Sequence, residues 1–234
     1  NNPVITSSDT FSAAENQTGI GTITASDADG NSLSFSLSGS DAFLFNLNSS
    51  TGVITLISPT NYETKASYSV TVNASDGTNT TSQALVVNVT NQNDNNPVIT
   101  SSDTFSAAEN QTSVGTVKAT DADGDTLTYS LTGTDASAFS INSSTGVITF
   151  NSAPDYETKT SYSITVNASD GTNTTTQSVN INVTDINEFT PVINDLASAV
   201  SVAESITSVV TVSATDADGN TLTYSLTGTD ASAF

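Results

Sequence analysis

The chain repeats itself at a fixed interval, and that interval decides what it can fold into. Asn-Pro-Val-Ile-Thr at Asn2–Thr6 recurs at Asn96–Thr100, 94 residues on. The same offset carries Glu15 to Glu109, Asp27 to Asp121, Tyr62 to Tyr156 and Asp76 to Asp170. A third copy begins near Pro191, gains one residue before Glu204 and runs to Phe234; its Thr227–Phe234 stretch repeats Thr132–Phe139. Similarity at a constant period marks an array of units. This period is longer than a solenoid repeat and suits a small domain with its own core. The repeat divides the chain into segments 1–95 and 96–189, with an incomplete 190–234.

Within each copy the pattern is that of short strands. Leu33, Phe35 and Leu37 alternate with serines; Tyr68, Val70, Val72 and Ala74 alternate with polar residues, as do Leu85, Val87 and Val89. Period-two alternation rich in Val, Ile, Thr and Tyr reads as half-buried antiparallel strand. Gly-Val-Ile-Thr at Gly52 and Gly146 opens another strand after a turn. About seven strands at roughly 8–12-residue spacing predict an all-β fold of tandem seven-stranded Greek-key β-sandwiches. The incomplete third copy leaves an apolar face and open edges. It is either truncated or completed by strands of another chain.

Composition removes several functions. The chain has no Cys, His, Met or Trp, three Lys and no Arg. It therefore cannot build a zinc, iron–sulfur or thiolate site, or a nucleophile–histidine pair. A net charge of −21 opposes binding to nucleic acid or anionic lipid, both of which need Lys and Arg. No apolar run is long enough to span a membrane. Asn1-Asn2-Pro3 reads as the tail of a linker, not a signal peptide, so the chain is expected to be a segment of something longer.

The acidic residues are placed periodically. Glu15, Glu109 and Glu204 open successive repeats; Glu63 and Glu157 lie in Asn-Tyr-Glu and Asp-Tyr-Glu; Glu188 lies in the second linker. The first linker reads Asn91-Gln92-Asn93-Asp94-Asn95-Asn96-Pro97, followed by Asp121 and Asp123 in Asp-Ala-Asp-Gly and Asp170 in Ala-Ser-Asp-Gly. The cation that takes clustered carboxylate, amide and carbonyl oxygens is calcium. Asp-Gly alone is a routine turn. Asp-Ala-Asp-Gly-Asp resembles the start of an EF-hand loop, but no helix or twelfth-position Glu follows.

Taken in order, these motifs resemble tandem cadherin repeats, in particular the cadherin-like domains of large bacterial surface adhesins. The resemblance spans the whole chain. It implies that an early Glu, an Asp-x-Glu and an Asp-x-Asn-Asp-Asn linker meet an Asp-x-Asp and a later Asp of the next repeat, together holding three calcium ions. Carried over residue by residue, the first set is Glu15, Glu63, Asn93, Asp94, Asp121, Asp123 and Asp170, with main-chain carbonyls of Gln92 and Asn95. Asn61 and Asn91 stand where the family prefers Asp. Six carboxylates would balance three Ca2+, with weaker affinity for the ions that lose an Asp.

The second set is Glu109, Asp155, Glu157 and the linker Asp185-Ile186-Asn187-Glu188-Phe189, with Asp216 and Asp218; Glu188 replaces an Asp. Its later Asp has no counterpart before Phe234, so a complete first set and an incomplete second are expected. Asp27, Asp29 and Asp76 form the lower half of another such set. Asp41, Asp135 and Asp230 read as turn residues, and Tyr68 and Tyr162 as core.

The resemblance implies a non-enzymatic, extracellular or surface-attached protein in which calcium ions stiffen a rod of neighbouring repeats. Paired carboxylates also suit a glycosidase, but they recur identically in each copy and Trp is absent. A recognition module binding like molecules or surface polysaccharide is the alternative, and a calcium-independent sandwich array a third.

Overall fold

The computed structural model describes residues 1–194, 197 and 199–234. Its first repeat contains β1 (Val4–Ile5), β2 (Thr10–Ala14), β3 (Gly19–Thr22), β4 (Ala25–Ser26), β5 (Ser34–Ser38), β6 (Phe45–Leu47), β7 (Val53–Leu56), β8 (Ser67–Ser75) and β9 (Thr80–Thr90). One sheet has the order β2-β9-β8-β5 and a second β3-β7-β6, while β1 and β4 make a separate two-stranded pair. Seven strands thus form the sandwich. Val70, Val72, Leu85 and Val87 from the first sheet pack with Phe45, Ile54 and Leu56 from the second. Outward positions of β8 are Ser, Thr and Asn, which is why alternation is so regular there, whereas those of β9 also include Ala84 and Val86.

The second repeat reproduces this with β10 (Val98–Ile99), β11 (Thr104–Ala108), β12 (Ser113–Thr116), β13 (Ala119–Thr120), β14 (Thr128–Thr132), β15 (Phe139–Ile141), β16 (Val147–Phe150), β17 (Ser161–Ser169) and β18 (Thr174–Thr184). Its core joins Ile164, Val166, Val179 and Ile181 to Phe139, Ile148 and Phe150. Tyr68 and Tyr162 pack against the two cores, as the alternation indicates.

One pairing departs from the antiparallel expectation. β2 runs parallel to β9, and β11 parallel to β18. The first and last sandwich strands therefore point the same way, so each repeat receives the chain at one end and releases it at the other. Gly52 fixes the β7 turn: its φ is +71°, and a Cβ there would lie 2.1 Å from the Ile23 carbonyl oxygen.

Among the described residues of the third copy, β19 (Val192–Asn194) pairs with β20 (Ser213–Thr215). The counterpart of β5 and β14, residues 223–227, is not a strand. In the complete copies that strand is held by β8 or β17. Tyr224 and Leu226 of the third copy are exposed.

The chain divides into two compact units: Asn1–Asn96 with Asp121–Thr126, and Pro97–Thr120 with Leu127–Phe234. This division groups the Asp-Ala-Asp-Gly loop with the linker Asn91–Asn96.

Candidate metal centre

The parallel register of β2 on β9 builds the first cluster. Ala14 stands opposite Thr90, so the next residue, Glu15, arrives where the linker begins, its N–H donating to Thr90 O at 3.1 Å. Asn16 then turns the chain with φ of 62°, a left-handed conformation that Asn tolerates. Glu15 is 1% exposed. Its Oε2 accepts the Tyr62 N–H at 2.8 Å and its Oε1 the Gln92 N–H at 2.7 Å. One buried carboxylate thus ties together the end of β2, the Asn-Tyr-Glu turn and the linker.

Glu63, Asp94 and Asp123 complete the group: carboxylate oxygens of these three and Glu15 lie within 4.8 Å of one another. Asp123 is held from the linker. Its Oδ2 accepts the N–H groups of Asp94 at 3.0 Å and Asn95 at 2.8 Å, and its Oδ1 accepts Asn95 Nδ2 at 2.7 Å. Asn91 Nδ2 donates to the Asp123 carbonyl at 2.7 Å, and Asn16 Nδ2 donates to Asp94 Oδ2.

Asp121 organises the loop. Its Oδ1 accepts the N–H of Asp123 at 3.0 Å and of Asp125 at 3.3 Å. Its Oδ2 is buried without a hydrogen-bond partner. Asp121, Asp123 and Asp125 form a further carboxylate group. Sequence reasoning passed over Asp125, although repeats one and three carry Asn31 and Asn220 at that position. It also missed Asn16 and Asn110; the shared Glu-Asn dipeptide was the available signal.

Other expected ligands serve local turns. Asn61 Oδ1 accepts the Thr64 N–H at 2.8 Å, and Asp155 Oδ1 accepts that of Thr158 at 2.9 Å. Asp170 belongs to the other compact unit, where its Oδ1 accepts the N–H groups of Thr172 and Asn173. Asn93 is half-buried in the linker. Asp27 mirrors Asp121, with Oδ1 accepting from Asp29 and Asn31 and a buried, unpartnered Oδ2. Asp41 and Asp135 are more than turn residues: they pair with Lys65 at 2.7 Å and Lys159 at 2.6 Å, so neither lysine neutralises Glu63 or Glu157 by direct pairing.

The second cluster follows the same construction. Glu109 is fully buried, accepting the N–H of Tyr156 and of Ile186 at 2.7 Å each. Glu109, Glu157 and Asp185 bring their carboxylates together. Glu188 and Phe189 donate their N–H groups to Asp218 Oδ2 at 3.0 and 2.8 Å, and Asn110 Nδ2 donates to Glu188. Asp218 Oδ1 is buried without a partner. Asp216 bonds within its own loop, its carbonyl accepting from Gly219 and its Oδ1 from Asn220. Asn187 and Phe189 line a concavity beside Asp216.

The electrostatics record uncompensated charge. Glu63 accepts its own backbone N–H, which lowers its pKa, but partial loss of water, a hydrogen bond to Asp123 and the charges of Glu15 and Asp123 outweigh this and raise it. For Asp123, loss of water is the largest influence and opposes ionisation. The Asn95 donors, the bond from Glu63 and the Asp94 N–H together lower its pKa. Asp185 is raised by loss of water and then by Asp218, Glu109 and Asp216. Glu188 is raised by loss of water and the charges of Glu109, Glu157, Asp218 and Asp155. Glu157 is also raised, first by loss of water, against its own N–H bond.

These groups fit a hard divalent cation. Every side-chain donor is oxygen, and two carboxylate oxygens, on Asp121 and Asp218, are buried with nothing to bond. Oxygens sharing one calcium ion at about 2.3–2.6 Å stand at most about 5 Å apart, and the first cluster lies within that reach.

An all-β repeat whose buried Glu gathers linker and loop carboxylates defines a β-sandwich module with an acidic, oxygen-only cluster at its linker. Residues 9–90 and 103–184 both match the Cadherin domain, and the chain belongs to the cadherin family. It is 38% identical over 167 residues to human Protocadherin Fat 4, covering 66% of this chain and 3% of that protein. With mouse Cadherin EGF LAG seven-pass G-type receptor 2 it shares 35% over 228 residues, covering 88% of this chain and 8% of that protein. The chain thus spans a small fraction of these relatives. In structure it resembles mouse Cadherin-23 EC22-24, with TM-score 0.72, 27% identity, and 93% of this chain and 78% of that chain covered.

Proposed function

We propose that this chain is a calcium-stiffened extender segment of an extracellular, surface-attached adhesion protein, without enzymatic activity. The observation that carries the reading is the convergence of Glu15, Glu63, Asp94 and Asp123, drawn from four separate stretches of sequence, at the linker Asn91–Asn96. Glu15, Glu63, Asp94, Asp121 and Asp123 would hold calcium there, with Asn93 and the main chain of Gln92 and Asn95. Glu109, Glu157, Asp185 and Glu188 would do so at the following linker, with Asp218.

Bound calcium supplies positive charge that the chain's own three lysines cannot bring to these carboxylates. The residues do the rest. Glu15 locks the linker to the end of β2, and Asn95 locks Asp123 to the linker. Glu63 and Asp123, left without a cation, compete for a proton. A linker tied on several sides and neutralised is ordered, and one whose carboxylates repel is loose; ions that favour the ordered state shift the balance by mass action. Near-identical successive copies suit length more than diverse recognition.

Calorimetric calcium titration of the chain, beside the Asp121→Ala, Asp123→Ala variant, tests this. Saturable binding of about three ions that is largely lost in the variant is expected. Heat no greater than that of non-specific screening of an acidic surface would overturn it.

A further inference from the structure

The two complete repeats share a backbone but differ at one corner. Where the second has Ser137 and Ala138, the first has Phe43 and Leu44; where the second has Phe150, Asn151 and Ala153, the first has Leu56, Ile57 and Pro59. The third returns to Ser232 and Ala233. In the second repeat the corner is closed and polar. Phe139 and Phe150 pack with ring centroids 4.4 Å apart. Asn151 Nδ2 donates to Ser137 O at 3.0 Å, and its Oδ1 accepts Ser140 Oγ at 2.6 Å.

In the first repeat the same corner is open and apolar. Leu56 in place of Phe150 leaves a hollow of about 210 Å3 lined by Phe43, Leu44, Leu56, Ile57, Pro59 and Tyr68. Phe43 is 73% exposed and Ile57 56% exposed. Neither side chain contributes much to the repeat's own core, because that gain requires removal from water. The second repeat shows that the fold does without both. A contiguous apolar patch beside a hollow is the mark of an interaction surface.

The surroundings select the partner. The stretches 39–47 and 56–59 contain one charged residue, Asp41, and it is paired with Lys65 at 2.7 Å. A chain of net charge −21 repels another copy of itself wherever unpaired carboxylates meet; these stretches present none unpaired. The patch also carries both a projecting ring and the hollow to receive one. A two-fold contact, in which a surface meets itself, demands that self-complementarity. We propose that two copies of this chain associate through this corner, the Phe43 ring of each entering the hollow of the other. The contact does not depend on calcium. It is small, so a Kd on the order of 0.1–1 mM is expected for an isolated pair, strengthened where several such segments align.

Sedimentation of the whole chain up to about 1 mM, in excess calcium and separately in chelator, tests this. A reversible dimer is expected in both, weakened more than about tenfold, or about 1.4 kcal/mol, by Phe43→Ser with Ile57→Asn. Those are the residues the second repeat uses, so melting should be unchanged. Because the chain has no Cys, Ser58→Cys on the rim of the hollow, with the Phe43 ring kept, gives a second readout: a disulfide-linked dimer is expected on treatment with a mild oxidant, against none at Ser152→Cys, the same place in the second repeat. A monomer at the highest concentration, equal dimerisation of the double variant, or equal crosslinking at the two cysteines would each overturn the proposal. Loss of calcium binding with dimerisation intact would sink the calcium reading alone.

Discussion

Gln92 donates its backbone N–H to Glu15 Oε1 at 2.7 Å, joining the first residue of the linker's interior to a carboxylate 77 positions earlier that is 1% exposed. This bond exists because β2 and β9 run parallel and in register, and it is made before any cation is considered. Glu15 therefore has a structural role separable from ligation. Glu15→Ala leaves the N–H groups of Tyr62 and Gln92 without their acceptor, at a cost of about 1–3 kcal/mol for each that stays buried. The first repeat should unfold at distinctly lower urea concentration even in chelator. A variant that differs from the parent only when calcium is present would show that the carboxylate acts as a ligand alone.

Asn91 and Asp185 occupy equivalent linker positions with different chemistry. Asn91 Nδ2 donates to the Asp123 carbonyl at 2.7 Å, a bond that a carboxylate cannot make. Asn91→Asp exchanges this donor for a charge beside an acidic cluster. In chelator it should destabilise the first unit by about 1–2 kcal/mol; in calcium it should tighten binding severalfold, since ligand charge count raises affinity. Calorimetry and denaturant unfolding of the same variant should move in opposite directions.

The parts of this architecture that could be read from sequence are those set by periodicity and by repetition. Val70, Val72, Leu85 and Val87 announce their strands because one face is buried and the other wet. The recurrence of Glu15, Glu63 and Asp123 at Glu109, Glu157 and Asp218 marks them as a set. What escaped was pairing between distant stretches. Alternation in Phe11–Ala13 does not reveal that β2 lies parallel to β9, because side-chain period is the same for either direction. Nor does an isolated Asp41 show that Lys65 folds onto it, 24 residues away. Asp125 was hidden for a different reason: it looks like part of a turn, and only the three-dimensional loop brings its carboxylate beside Asp121.

Lys65 sits 4.5 Å above the Tyr68 ring while paired with Asp41, and Lys159 repeats this over Tyr162 with Asp135. The hydrogen bond from lysine is the main influence lowering each Asp, followed by the N–H of Ser69 or Ser163. A depressed carboxylate contributes stability that is present above its unfolded pKa and is lost as pH falls through the folded one. Both pairs are partly exposed, so each is worth only about 0.5–1 kcal/mol. Lys159→Met should lower stability by this amount at neutral pH and by nothing near pH 2, where Asp135 is protonated in either protein. Equal loss at both pH values would assign the effect to packing.

Carboxylates of the second linker move the other way: Asp185, Glu157 and Glu188 are all raised, by loss of water and mutual repulsion. Without a cation the folded chain holds more protons there than the unfolded chain does. Stability in chelator should then fall as pH rises from the ordinary carboxylate range, about 4, through the raised values, because the unfolded state binds fewer protons across that window. With calcium the sign reverses. The ion requires deprotonated ligands, so acid expels it, and the affinity it lends to the folded state is lost as pH falls. Thermal melting from neutral pH down towards pH 4, in chelator and in saturating calcium, should therefore give slopes of opposite sign, with the two curves converging as the carboxylates protonate. Parallel curves would mean that these carboxylates do not hold the ion, and that any calcium effect arises elsewhere on the chain.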